Sequence, residues 1–369
     1  MRLLLISLKK DRVLSNKQSY LFWMGVVLFC MLVAFLKELI LPSYFFFDSV
    51  TLESFVGFEW QVGSAYSSTA KFYEMFFLAE NHGLISLLSV FFILIVCLKS
   101  VSVSDAIILR PSSVFLFVFF VFLSVVYMTI ISKEFVVLIL NSVLIFAHGK
   151  KHEKLSVFFW FLLAFFYAYA FRSYWVLFVF QILVLYVGYS YINSHKKLFL
   201  FVAISIFSIS FTYFLLSGEN IDSFRVLYNE ARLDRGGAST STLILPWFGI
   251  GGFLVAFLNS FVTWVSFFIP FKLISLLSPY YLFISLMLML FFYRLFNAAL
   301  TLSGKGGRGR LYCSIIISFT IIQAVFEPDY GSFIRHLTPF SPLIFYVLAQ
   351  CDYEELNREG CIDENSACS

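Results

Sequence analysis

The chain alternates long apolar runs with short polar segments along nearly its whole length. The runs lie at about 20–41, 84–98, 113–131, 134–148, 155–171, 174–192 and 198–216, then as three shorter pieces within 243–300 and two runs at about 311–326 and 338–350. Lipid offers no partner to backbone N–H and C=O groups, so each run must be helical. At roughly 20 residues a span, the pattern predicts an all-α, polytopic integral membrane helical bundle with about 10–12 transmembrane helices.

Composition excludes a soluble enzyme. The 369 residues are 60% hydrophobic and 21% aromatic, and only 13% are charged, against about 25% in soluble proteins. No polar segment is long enough for a separate globular domain. We therefore predict a single transmembrane domain over 1–350 and a tail over 351–369. The first run is too long for a signal peptide, so we expect it to be a retained span.

Charge predicts the orientation. Basic clusters at 9–17, 99–110, 150–154, 196–197 and 305–310 all belong on the cytoplasmic side. This places both termini in the cytoplasm and the loops 42–83, 217–242 and 327–337 outside. The Pro-interrupted region 243–300 then makes three crossings, which we prefer, or one crossing plus a re-entrant hairpin.

Several other classes of function lack support. The net charge of +4 is scattered rather than gathered in a patch, so no nucleic-acid partner is indicated. No metalloprotease, P-loop or serine hydrolase motif occurs, and the six cysteines lack metal-site spacing. We expect free thiols, no metal and no cofactor. Within the runs, Asn141, Gln181 and Asn259 should hydrogen-bond between helices, and Lys272 should snorkel.

Arginines on the predicted outer face are the first candidate functional groups. Arg172 lies in a tight aromatic hairpin between two runs, while Arg225, Arg232 and Arg235 are spaced by seven and three and share one face of a helix. Guanidinium groups bind phosphoryl oxygens in a bidentate way, so a phosphate or pyrophosphate ligand is indicated. The alternatives are a snorkelling Arg172 and a solvated helix with salt bridges.

A third outer string, 327–336, gathers Glu327, Asp329, Arg335 and His336 within ten residues. Its Pro and Gly predict a shaped turn rather than a helix. Carboxylates and His can accept a proton from a hydroxyl, and Arg can neutralise a departing phosphate. We rank Asp329 and Glu327 above His336 as the proton acceptor. The alternative is that both carboxylates only orient Arg335 and shape the turn.

These strings resemble those of Wzy-type O-antigen or capsular polysaccharide polymerases. The residues that carry the resemblance are Phe171-Arg172-Ser173-Tyr174-Trp175, the Arg-rich loop, Glu327-Pro328-Asp329-Tyr330-Gly331 and Arg335-His336-Leu337-Thr338-Pro339. Arg225 is followed after ten residues by Gly236, similar to an Arg-ten-Gly pattern of some members.

The resemblance implies a glycosyltransferase at the outer face of the bacterial inner membrane. It would join oligosaccharide repeat units carried on undecaprenyl diphosphate, with membrane lipids around it and a chain-length regulator and a flippase as protein partners. The catalytic candidates are then Asp329, Glu327 and His336. The diphosphate-binding candidates are Arg172, Arg225, Arg232, Arg235 and Arg335.

Two other functions stay open. An O-antigen ligase uses the same lipid-linked donor but a lipid A core acceptor, and it would need the same arginines. A polysaccharide flippase or other transporter would need charges deep within several helices, whereas the unusual charges here lie at the predicted outer ends.

Overall fold

A computed structural model of the chain describes residues 2–7, 10–13, 16–101, 106–146, 153–235, 241–303 and 307–358. Its helices are α1 (Asn16–Ile40), α2 (Phe47–Glu53), α3 (Ala65–Met75), α4 (His82–Val101), α5 (Pro111–Met128), α6 (Lys133–Phe146), α7 (Glu153–Ala170), α8 (Trp175–Gly188), α9 (His195–Ser217), α10 (Ser223–Arg235), α11 (Phe253–Phe268), α12 (Phe271–Ser275), α13 (Pro279–Ser303), α14 (Gly307–Phe326), α15 (Tyr330–Leu337) and α16 (Ser341–Arg358).

Within the described residues, six helices are long and apolar enough to cross a membrane: α1 from Tyr20, α4, α5, α9, α13 and α14. Shorter apolar helices cover Lys154–Ala170, Trp175–Tyr191 and Phe253–Phe268. Large apolar side chains stay on the outside of α1, where Phe35 is 78% and Leu39 is 82% exposed. Such surfaces suit lipid rather than water. The prediction of a predominantly helical chain with several helices able to cross a membrane is confirmed.

A small sheet departs from the all-α prediction. Strands β1 (Arg2–Ser7), β2 (Lys10–Val13) and β3 (Ala106–Leu109) form it in the order β2-β1-β3, antiparallel on one side and parallel on the other. The aliphatic runs in β1 and β3 are far too short to span a bilayer as helices. Their backbone groups find hydrogen-bond partners by pairing with each other instead.

The chain divides into two compact units, which we call the first unit (Met1–Val179 with Thr338–Ser369) and the second unit (Phe180–Leu337). In the first unit α16 packs against α4 and α5. Arg110 fixes the end of α16. Its NH1 lies 2.9 Å from Glu355 Oε2, and its backbone N–H donates to Asp352 at 2.7 Å. Residues 351–358 therefore continue the last helix, and the predicted start of a tail at 351 falls inside it.

In the second unit α11 packs between α9 and α14. Residues 243–303 are described throughout and contain α11 (16 residues), α12 (5 residues) and α13 (25 residues). A helix of five residues rises only about 7.5 Å and cannot cross a bilayer. The preferred three crossings are therefore wrong for this region. The alternative, one crossing plus a re-entrant hairpin, stays a prediction.

Candidate functional site

An ion pair in the first unit joins the loop 42–83, which was predicted to lie outside, to the start of α6. Lys133 Nζ, at the start of α6, lies 3.0 Å from Asp48 Oδ2 and 3.9 Å from the centre of the Tyr66 ring. The Tyr66 hydroxyl donates to the other oxygen of Asp48 at 3.1 Å. Sequence analysis missed Lys133, although its place in a tight hairpin between two apolar runs was the same signal that singled out Arg172.

Arg172 also belongs to the first unit, in the turn between α7 and α8. Its NH1 donates to the Tyr174 hydroxyl at 2.7 Å, and the side chain is half-buried. Burial opposes its charge, but the nearby oxygens of two tyrosines and Glu134 outweigh burial and raise the pKa above its ordinary value. The loop 42–83 reaches the same turn, because Gly63 N–H donates to Ala170 O at 3.0 Å. These contacts bring together the loop 42–83, the start of α6 and the turn between α7 and α8.

The second unit contains the other seven candidate residues. Here the chain after α10 pairs with the chain before α15. Leu243 and Asp329 form an antiparallel bridge, Ile244 N–H donates to Pro328 O at 2.7 Å, and Tyr330 N–H donates to Thr242 O at 3.2 Å. The two polar strings that sequence analysis singled out separately thus meet at this bridge.

The string 327–336 is mostly helical, which corrects the prediction of a turn. Asp329 caps α15, because its carboxylate accepts from Ser332 N–H and from the Ser332 hydroxyl, both at 2.8 Å. Asp residues commonly cap helix N-termini in this way. Stacking of Phe333 on Phe267, with ring centres 3.8 Å apart, holds α15 against α11. The cap satisfies the first turn, so the Pro and Gly do not prevent a helix.

Glu327 and His336 form a close pair across this string. Glu327 Oε2 lies 2.8 Å from His336 Nδ1, with the Glu327 side chain 5% and the His336 side chain 15% exposed. Glu327 immediately follows α14, and His336 is on the last turn of α15 beside the half-buried Arg335. If Nδ1 carries the proton, Nε2 is the basic nitrogen of the ring. The arrangement is therefore that of a His oriented by a carboxylate.

Arg225 is completely buried, at 0% exposure. Its NH1 donates to Thr263 Oγ1 at 2.7 Å and to Ala324 O at 3.0 Å, whereas Nε and NH2 have no hydrogen-bond partner. Burial lowers its pKa to about 10, opposed by the charge of Asp222, so it stays a cation at neutral pH. Arg225 thus ties α10 to α11 and α14 and presents no surface to a ligand.

The helix predicted around Arg225, Arg232 and Arg235 is confirmed as α10. The side chains of Arg232 and Arg235 lie outside the described part of the structure, as does Gly236. The shared face that their spacing predicts therefore stays a prediction.

A cavity of about 430 Å³ lies beside the bridge, lined by Ile244, Leu245, Pro246, Trp247, Phe271, Lys272, Ser275 and Tyr330. Lys272 was expected to snorkel, but its ammonium group donates to Leu243 O at 2.7 Å. Burial lowers its pKa from the ordinary value. The reason for the difference is the chain before α11, which brings an unsatisfied carbonyl within reach.

Two of the three polar residues expected to hydrogen-bond between helices do so, whereas Gln181 is buried and its Nε2 has no hydrogen-bond partner. Asn141 donates to Pro339 O at 3.1 Å and accepts from the Trp160 ring N–H at 3.3 Å, both in the first unit. Asn259 donates to Asp222 and to Gly249 O, each at 3.0 Å, in the second unit. Among the described residues, no group of three or more His, Cys, Asp or Glu could hold a metal ion.

Comparison of the chain with protein-family models, curated proteins and solved structures finds no match.

Proposed function

We propose that the protein is a polymerase of lipid-linked oligosaccharide repeat units at the outer face of the bacterial inner membrane. It spans the membrane ten times, through α1, α4 to α9, α13, α14 and α16, and both termini are cytoplasmic. The basic clusters support this count, in which α11 and α12 make a re-entrant hairpin between α10 and α13.

The observation that carries the proposal is the Glu327–His336 pair. Chain growth requires a hydroxyl of one sugar to attack the anomeric carbon of another, and that hydroxyl needs a proton acceptor within reach. His336 Nε2 takes the proton while the new C–O bond forms. The bond between the anomeric carbon and the diphosphate oxygen breaks, and the diphosphate leaves with the electron pair. Glu327 holds the ring and stabilises the imidazolium that results.

This assignment reverses the ranking of the three catalytic candidates. Both carboxylate oxygens of Asp329 accept hydrogen bonds from Ser332, which supports a capping role. Glu327 acts through His336 rather than as the base itself. His336 therefore becomes the catalytic residue of the set.

The arginines take different roles. Arg335 neighbours His336 on α15 and stabilises the departing diphosphate. Arg225 is a positioning residue, because it is buried against α11 and α14. Arg172, Arg232 and Arg235 stay proposed contacts for the lipid-linked substrates, at the headgroup level of the outer face.

The length of surface polysaccharide, resolved as a ladder on a gel with and without the gene, tests this function. Loss of long chains with one repeat unit still attached supports a polymerase. Loss of every attached unit contradicts it and indicates a ligase or a flippase.

A further inference from the structure

The cavity beside the bridge is lined by the loop before α11 and by the short helices α12 and α15 rather than by long spanning helices. Residues 244–247 lie between α10 and α11, and Phe271, Lys272 and Ser275 belong to the short α12 that follows the apolar α11. Membrane proteins tolerate such loops and short helices where they are covered by protein or line a cavity for a substrate or water. The loop before α11 and the short α12 thus present a lysine and an aromatic rim to the same space.

The ammonium group of Lys272 can donate more hydrogen bonds than the described residues accept. Its ammonium group has three hydrogens, and one donates to Leu243 O at 2.7 Å. Among the described residues no carboxylate forms an ion pair with it, and the side chain is half-buried. Holding a partly desolvated cation without a counter-charge costs free energy, and a bound anion offsets that cost.

Tyr330 is a second polar residue of the cavity lining. Its hydroxyl is buried, and the residue as a whole is 1% exposed. Ser266 is near enough to lower its pKa, but burial dominates and raises it to about 12. The Ser266 hydroxyl donates its own hydrogen to Thr263 O at 2.7 Å. Tyr330 therefore keeps its proton at neutral pH, and the Ser266 oxygen can accept it.

The rim of the cavity is apolar and open. Leu245 is 47%, Trp247 is 40% and Phe271 is 52% exposed. A ligand that fits this lining has a compact anionic end for Lys272 and a hydrocarbon portion for the rim. A neutral sugar would leave the charge of Lys272 unbalanced.

We propose that this cavity binds the phosphate-bearing end of a lipid carrier, with Lys272 as its charge partner and Trp247 and Phe271 against the adjoining hydrocarbon. The inference rests on the proposed function for the identity of the lipid, an undecaprenyl diphosphate. The proposed anion site of the second unit is then at Lys272 rather than at Arg225, which is buried.

The test is a binding measurement without sugar and without turnover. The full-length protein, purified in phosphatidylcholine nanodiscs, is titrated with undecaprenyl diphosphate while Trp fluorescence is recorded. Replacing Lys272 by Met should raise the Kd by about tenfold to 150-fold, the loss expected for one charge-assisted contact. Lys272→Arg should stay close to wild type, and Lys272→Gln replaces the Met variant if that protein is not recovered folded.

Two further variants and two alternative ligands test where the lipid binds and whether the site takes free phosphate instead. Trp247→Phe should remove most of the fluorescence change, and undecaprenol and inorganic pyrophosphate should each bind far more weakly than the lipid diphosphate. Lys71→Met removes an exposed lysine paired with Glu74 in the first unit and should leave binding unchanged.

The proposal is overturned by an unchanged Kd in both neutral variants of Lys272, or by equal affinity for undecaprenol. Pyrophosphate binding as tight as the lipid would also overturn it, since the site would then take free phosphate. Because the assay needs no polymer, a failed ladder experiment would leave a positive binding result standing, and the reverse also holds.

Discussion

Exchanging the carboxylates of Glu327 and Asp329 for amides, one at a time, separates a catalytic pair from a helix cap. Glu327→Gln keeps the shape of the side chain beside His336 but removes the charge that supports the imidazolium. A hydrogen bond to a charged group contributes about 1.5–3 kcal/mol. At about 1.4 kcal/mol for each factor of ten, the rate of polymerisation should fall by about tenfold to 150-fold.

Asp329→Asn is the matched control. The amide oxygen can still accept from Ser332 N–H, the bond that caps α15 at 2.8 Å. Asn and Asp are about equally good caps, so the rate should change by no more than about twofold. Both variants lose one negative charge on neighbouring residues, so a general effect of charge would slow both.

The assay is the initial rate of chain growth from purified lipid-linked repeat units in proteoliposomes, at equal amounts of folded protein. His336→Gln should be at least as slow as Glu327→Gln. A full rate in Glu327→Gln together with a strong loss in Asp329→Asn would exclude the Glu327–His336 pair and restore Asp329 as the base.

Three further predictions follow from the contacts described above. Replacing the buried Lys133 by Met, which leaves the half-buried Asp48 without its cation, should cost about 1.5–3 kcal/mol of stability, and adding Asp48→Leu should recover part of that loss in a double-mutant cycle followed by thermal unfolding. Arg225→Lys, which can replace only one of two hydrogen bonds, should lower stability by about 1.5–3 kcal/mol and leave the affinity for undecaprenyl diphosphate unchanged, as measured by unfolding in detergent and by titration. Reporter fusions should read cytoplasmic at Lys151 and Lys305 and external at Ser64 and Asn229; a cytoplasmic reading at Asn229 would contradict the proposed side of the site.

Hydropathy predicts most of the helices because lipid leaves the backbone no other choice. It also identifies Asn141 and Asn259 as links between helices, since a polar amide in an apolar run needs a partner. Hydropathy does not predict α12. Pro270 and Pro279 mark interruptions there, but they do not distinguish a re-entrant hairpin from a third span. The strands β1 and β3 were missed because their short aliphatic runs lack any signal of the partner strand.

The candidate site is predictable in its residue types but not in its contacts. Spacing places Arg225 on a helix, but it cannot tell whether that face meets water or the neighbouring α11 and α14. Lys272 looks like a snorkelling lysine until the carbonyl of Leu243 is known to lie beside it. The pairing of Glu327 with His336 depends on α15 being a helix, which follows from a cap that sequence analysis interpreted as a base.

Reconstitution of the purified protein with lipid-linked repeat units alone distinguishes a polymerase from a ligase. A polymerase yields lipid-linked products of two, three and more units over time without a lipid A core acceptor and without an energy source. If no product longer than one unit forms, and transfer occurs only when a lipid A core is added, the protein is a ligase and the proposed polymerase function is contradicted.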